Sequence, residues 1–292
     1  MSHHEEAGEV RAVIERLGLP GLIDVHTHFM PDNVLAKVWD YFDAVGPMTG
    51  MEWPITYRFA EEQRIGLLRD FGVLRFTSMI YAHRPDMAAW LNAWARDFAA
   101  RTPEVLQTAT FYPEPSVEQY VDLALGSGTR IFKIHIQVGD FAPDDPALDA
   151  TWGMVSDAQV PVLIHCGSGP APGRFTGPDR MRTLMRRHPR LRLVIAHMGL
   201  PEYADFLDLA DRYEGVHLDT TMVFTDFTEA LAPFPPELRP RLDELGERIL
   251  FGSDFPNIPY PYLHAVEAVE RLELGDAWLR GVLHDNAARL FA

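Results

Sequence analysis

The sequence predicts one closed (β/α)8 barrel, the TIM-barrel class of α/β folds, with an N-terminal helix and a long insertion after the first strand. Three observations predict it. From Leu22 onward, eight short apolar runs are each followed by a segment of helical periodicity. The runs are continuously apolar rather than alternating, as in a parallel sheet whose outer face is covered. The 292 residues accommodate the roughly 250 that such a barrel needs. Eight units favour closure over a doubly wound open sheet. No linker, low-complexity run or composition shift divides the chain, so residues 1–20 are expected to form a helix packed on the barrel and residues 21–292 the barrel domain.

Glu5 to Leu17 places Val10, Val13, Ile14 and Leu17 at the spacing of an amphipathic helix, and Gly18-Leu19-Pro20-Gly21 ends it. The first strand is Leu22 to His28. Phe29 to Arg58 then carries large apolar residues such as Trp39, Met48 and Trp53, broken by Pro31, Pro47 and Pro54. Such a segment either folds over something or adds to the core. The alternation follows: helix Ala60 to Phe71, strand Arg75 to Tyr81; helix Asp86 to Arg101, strand Leu106 to Tyr112. Helix Ser116 to Leu125, capped by Ser116 and ended by Gly126, leads to strand Arg130 to Ile136. Next come helix Leu148 to Ala158, strand Val160 to Cys166, helix Pro178 to Arg187 and strand Leu191 to His197. Helix Pro201 to Tyr213, strand Gly215 to Asp219, helix Arg239 to Glu247, strand Ile249 to Phe251 and two closing helices complete the series.

Composition excludes several classes. A net charge of -16 argues against nucleic acid or an anionic membrane surface as a partner, since both demand a basic footprint. No apolar run approaches the roughly 18 residues of a membrane span, and the acidic start is unlike a signal peptide, so the cytoplasm is the expected compartment. The single Cys166 excludes an intrachain disulfide and a cysteine zinc cluster. Metal chemistry must come from histidine and carboxylate. Only Lys37 and Lys133 are lysines, against 24 arginines.

Barrel active sites lie at the C-terminal ends of the strands, so polar groups there are informative. His26 and His28 stand one residue apart at the end of the first strand, where a strand presents both imidazoles on one face. The fourth strand carries Lys133 and His135, the fifth ends in His165, the sixth in His197 and the eighth in Asp254. Any one of these is more often a satisfied polar group than a ligand. Five strand ends on one rim are harder to explain as accidents. Imidazole and carboxylate suit Zn²⁺, and Mn²⁺ or Fe²⁺ less exclusively. Arg58, Arg84 and Arg174 could border the mouth and pair with a carboxylate, or be solvated. Cys166 alternates toward the helix layer as a small core residue, and Asp219 is a candidate support for the site.

The ordered set His26-x-His28, His165, His197 and Asp254 resembles the amidohydrolase superfamily. So do Gly252-Ser253-Asp254-Phe255-Pro256 and the closing Asn286-Ala287-Ala288-Arg289-Leu290-Phe291, which resemble its amidohydrolase-related (amidohydrolase 2) branch, home of the aminocarboxymuconate-semialdehyde decarboxylase-like enzymes. The resemblance runs in order from His26 to Phe291. It is specific for the superfamily and not for one reaction. It implies that His26, His28, His165 and Asp254 hold one divalent metal, with Zn²⁺ expected and Mn²⁺ the alternative. His197 would orient or deprotonate a water beside the metal, and Asp254 would shuttle its proton. In two-metal relatives a strand-four lysine is carboxylated and bridges the ions; here Lys133 could do so, could meet a substrate carboxylate, or could do neither.

The first expectation is therefore a metal-dependent hydrolase, in which metal-activated water attacks an amide, lactone or ester of a small organic substrate. The alternative is non-oxidative decarboxylation of an aromatic or unsaturated carboxylic acid. Decarboxylases of this branch often carry a doubled glycine after the sixth-strand histidine, where this chain has Met198-Gly199-Leu200. A barrel that binds metal and ligand without turnover is a third reading. Self-association into a homo-oligomer is left open.

Overall fold

The structure, a computed structural model, describes residues 1–46 and 50–292. Pro47 and Met48 of the insertion lie outside the described residues. The strands are β1 (Leu22–Asp24), β2 (Val73–Thr77), β3 (Val105–Leu106), β4 (Thr108–Ala109), β5 (Ile131–His135), β6 (Val162–His165), β7 (Leu193–Ile195), β8 (Val216–Asp219) and β9 (Ile249–Leu250). All neighbouring strands pair in parallel. β3 and β4 are one barrel position interrupted at Gln107, whose carbonyl accepts from the Arg130 N–H. The last position meets the first beyond the regular ladder: the Val25 N–H donates to Phe251 O at 3.0 Å, and the Asp254 N–H to His26 O at 2.8 Å. The fold is the (β/α)8 barrel.

Several strands stop earlier than their apolar runs. β1 ends at Asp24 rather than His28, β2 at Thr77 rather than Tyr81, and β7 at Ile195 rather than His197. After β2 and β7 the chain turns into left-handed backbone, with φ 28° at Met79, 53° at His197 and 51° at Met198. Such values are uncommon outside glycine and redirect the side chains toward the barrel mouth.

Inside the barrel, Ile23, Val25, Ile131, Leu163, Val194 and Leu250 form the floor, closed below by Ala287 and Leu290. Strand alternation puts Lys133 and His135 on the same inward face as Ile131, above that floor. A second, larger core lies between the strands and the helices.

The helix His3–Arg16 opens with a capping box between Ser2 and Glu5. Its Glu6 is buried, accepting from the Tyr57 hydroxyl at 2.5 Å and the Leu263 N–H at 3.2 Å. The helix Val117–Gly126 differs from expectation, since Ser116 makes no side-chain cap and Gly126 stays helical before the cap at Ser127. At the C-terminal end, Asn286 donates to Gly246 O and Ile249 O, both at 2.7 Å, so the closing Asn-Ala-Ala-Arg run fastens the last helix to the start of β9. No helix among the described residues is long and apolar enough to cross a membrane.

Candidate active site

His26 and His28 lie on extended chain just past β1, stitched to the segment after β9. The His28 N–H donates to Phe255 O at 2.7 Å. Gly252 is needed here, because a Cβ would stand 2.1 Å from Thr221 Oγ1 and 2.8 Å from His26 Cβ. Ser253 donates its hydroxyl to Asp24 Oδ2 at 2.6 Å and accepts from the Phe255 N–H at 3.0 Å. Asp254 follows at φ 73°, a left-handed position that turns its carboxylate inward. The Gly-Ser-Asp run thus supplies room, an anchor and an inward carboxylate in three consecutive residues.

Asp254 Oδ1 is 2.9 Å from His28 Nε2 and 3.4 Å from His26 Nε2. The other ring nitrogens are engaged: His26 Nδ1 faces Asp219 Oδ2 at 2.9 Å, and His28 Nδ1 faces Met79 O at 3.1 Å. With both Nδ1 atoms donating, both Nε2 lone pairs turn toward the Asp254 carboxylate. Three acceptors then converge with no proton between them, an arrangement that a cation satisfies. The three donor atoms lie within 4.8 Å of one another. Donors held at roughly 2.1 Å from one ion stand about 3 to 3.5 Å apart, so the set fits a divalent metal. Backing of each imidazole by an acceptor is the usual support of a metal-binding histidine.

Lys133 Nζ stands 3.1 Å from His26 Nε2 and is fully buried. Burial pulls its pKa down to about 8, against the opposing pull of the Asp254 and Asp219 charges. Burial, and then the Lys133 charge, lower His26 to about 3, which keeps that imidazole neutral as a ligand must be. Burial opposes ionisation of Asp254, but its 2.9 Å contact with His28 and the neighbouring imidazoles prevail and hold its carboxyl well below the usual range.

His197 is buried beside this group. Its N–H donates to Asp219 Oδ1 at 2.8 Å, its Nδ1 faces Thr221 O at 3.0 Å, and its Nε2 is left for the cavity. Asp219 therefore supports both His26 and His197. His165 is not among the three converging donors. Its Nε2 faces Gly169 O at 3.1 Å, its ring stacks on His135 at 4.0 Å, and its centroid is 4.8 Å from that of His197. Burial first, and neighbouring charges second, hold both His165 and His135 well below the ordinary imidazole range.

These groups lie at the base of a cavity of about 960 Å³. The insertion lines it with Met30, Val34, Tyr41, Phe42 and Trp53, so it does fold over the site, while Phe29, Leu35 and Tyr57 join the core. Asn257, which the sequence did not single out, holds the insertion down: its Oδ1 accepts from Trp39 Nε1 at 3.0 Å and its carbonyl from Trp53 Nε1 at 2.7 Å. Arg64 is a second unforeseen residue, buried with its guanidinium 4.9 Å from the Phe29 ring centroid and Nη1 3.5 Å from His28 O. Of the three arginines proposed for the mouth, Arg84 lines the cavity. Arg58 instead pairs with Asp43, and Arg174 lies over Phe175. Cys166 is buried, and burial raises its thiol pKa.

Comparison with protein families gives a match to the amidohydrolase family Amidohydro_2 over residues 23–292. The chain belongs to the amidohydrolase family. Comparison with curated protein sequences gives no match. Among solved structures, an uncharacterized TIM-barrel protein from Bordetella bronchiseptica superposes with a TM-score of 0.75 at 19% identity, covering 92% of this chain and 97% of its own. The 5-carboxyvanillate decarboxylase of Sphingomonas paucimobilis gives 0.63 at 16% identity, with 93% and 99% covered. The 5-carboxyvanillate decarboxylase of Novosphingobium aromaticivorans, complexed with manganese and 4-hydroxy-3-methoxy-5-nitrobenzoic acid, gives 0.64 at 15%, with 94% and 97% covered. At these identities the likeness shows the shared fold.

Proposed function

We propose that this amidohydrolase-family chain is a metal-dependent carboxy-lyase that removes CO₂ from a small aromatic or unsaturated carboxylic acid. The observation that carries the reading is Lys133. A buried ammonium beside a ligand imidazole adds positive charge to a site that a metal already makes positive, and an anionic carboxylate substrate suits that excess better than a neutral amide or ester does. The manganese-loaded decarboxylases among the similar structures support the same reading.

His26, His28 and Asp254 would hold one divalent ion, Zn²⁺ or Mn²⁺, and His165 would join them on giving up its contact with Gly169. The ion supplies Lewis-acid polarisation of a substrate oxygen. Lys133 holds the substrate carboxylate by charge. The bond from the carboxyl carbon then breaks, the electron pair stays on the ring or vinyl carbon, and a proton takes the vacated place. His197 Nε2 is the atom free to hold that proton, its Nδ1 being fixed on Thr221. Aromatic walls from Phe42, Trp53, Tyr81 and Phe227 suit a planar substrate and keep bulk water from the carbanionic carbon.

The departure from the doubled glycine does not disturb the backbone of this loop. Gly199 keeps the demanding position, at φ 76° with a Cβ that would fall 1.9 Å from the Phe206 ring, whereas Leu200 sits at φ -38°, open to any residue.

Hydrolysis is the second reading, favoured by the ionised Asp254, which could take a proton from an attacking water. One experiment separates the two. Protein loaded with Mn²⁺ or Zn²⁺ is offered hydroxylated benzoic and cinnamic acids, and separately lactones and aryl esters in ¹⁸O-water. Release of ¹³CO₂ from carboxyl-labelled acid, lost in His197→Asn, is expected. Label entering a lactone or ester product with no CO₂ from any acid would reverse the assignment.

A further inference from the structure

We propose that the mouth of the cavity carries an anion subsite, formed by Lys37 and Arg84, that takes a second acidic group of the substrate remote from the reacting carboxyl. The inference rests on the reading of the site as one for carboxylic acids and names the kind of acid it takes: one with an anion at each end.

The chain is strongly acidic, yet both of its lysines line this one cavity. Lys133 lies at the base, while Lys37 comes from the insertion helix Asp32–Asp43 and Arg84 from the segment after β2. Lining charges are three cations, Lys37, Arg84 and Lys133, against two carboxylates, Asp86 and Asp254. Most arginines on the outer surface are committed elsewhere; Arg58, Arg69, Arg101, Arg187 and Arg241 all hold carboxylates. Among the described residues, the Lys37 and Arg84 side chains have no hydrogen bond or ion pair, and both are exposed and so free to move toward a ligand. His83 lines the same cavity as both, and its pKa is lowered by burial first and then by the charges of Arg84 and Lys37.

The mouth also presents apolar surface. Tyr41, Trp90, Val138 and Leu231 are large apolar side chains left exposed, and all four line the cavity. A volume near 960 Å³ stands at the upper end of ligand pockets and leaves room for a body longer than one ring. A buried cation at the base and two exposed cations at the rim suit an unsaturated dianion long enough to reach both, and an excess of cations over carboxylates raises the local concentration of anions.

The test is binding rather than turnover. Dissociation constants are measured by calorimetry on Mn²⁺-loaded protein for two pairs of probes, benzoate with terephthalate and biphenyl-4-carboxylate with biphenyl-4,4′-dicarboxylate. Within a pair only the distal carboxylate differs. In at least one pair the dicarboxylate is expected to bind about tenfold more tightly, the gain of one charge-assisted contact. In the doubly substituted Lys37→Gln, Arg84→Gln protein the two affinities should converge to within about twofold. Equal affinities in the wild type, or a preference that survives the double substitution, would overturn the subsite. Absence of CO₂ release would overturn the decarboxylation reading alone, because no step of this measurement needs turnover.

Discussion

Asp219 decides which nitrogen of His26 turns toward Asp254 and the candidate metal site. Its Oδ2 takes the Nδ1 proton at 2.9 Å, so the Nε2 lone pair is the one left over, while its Oδ1 fixes the His197 backbone. An asparagine there keeps the size but can turn an amide N–H toward Nδ1 and select the wrong tautomer. Asp219→Asn should therefore weaken metal retention by about tenfold to a hundredfold, as loss of such supporting partners does. Competition against a chelator reads this directly, with circular dichroism as the check on folding; undiminished retention would remove Asp219 from the role. At this scale the sequence is informative where chemistry is local. His26, His28 and Asp254 are legible because residue type and strand-end position suffice to bring them to one rim. The orientation of His165 is not, since a carbonyl four residues on, at Gly169, takes its Nε2. Arg64 is equally illegible: nothing in its helix says that its guanidinium is buried under the rings of the insertion.

The sixth βα turn shows how one element sorts its residues. Gly199 and Leu200 are neighbours in a motif where two glycines are common, yet only Gly199 is held at positive φ against Phe206. Gly199→Ala should cost at least about 2 kcal/mol, as overpacking and a strained backbone add. Leu200→Gly should cost about 1 kcal/mol, through backbone freedom and lost side-chain contact. Urea unfolding of the two variants tests the ranking, and an equal or inverted order would contradict the conformational account. The element order and most helix ranges follow from apolar periodicity, and Pro178–Arg187 matches residue for residue. Strand ends do not follow, because the apolar runs continue past the points where Met79 and His197 leave the ladder. Periodicity senses burial, and these residues stay buried after they cease to be strand.

For the molecule as a whole, pH connects the buried histidines to stability. We propose that the N-terminal helix and the barrel unfold as one unit, because Glu6, Tyr57 and Leu263 join them through buried hydrogen bonds. A titrating group anywhere in that unit then acts on all of it. His217 on β8 is such a group and is not one of the converging His26, His28 and Asp254 donors. Burial lowers its pKa from 6.5 to about 4, helped by the charges of Arg248 and Arg192 and opposed by its hydrogen bond to Gly215 O. Above pH 6.5 the imidazole is neutral in folded and unfolded chain alike, so its neutral burial carries no penalty. As pH falls from 6.5 toward 4 the unfolded chain takes up a proton that the folded chain refuses, and the unfolded state is favoured. The loss should reach at most about 3 kcal/mol near pH 4, at 1.36 kcal/mol for each unit of displaced pKa. Urea unfolding of wild type and His217→Gln at pH 7 and pH 4.5 isolates this part, since every other titrating group is common to both proteins. The variant should lose less stability over the interval than the wild type does. A loss of equal size in both would mean that His217 accepts its proton in the folded barrel, and that the β8 site is wetter than its burial implies.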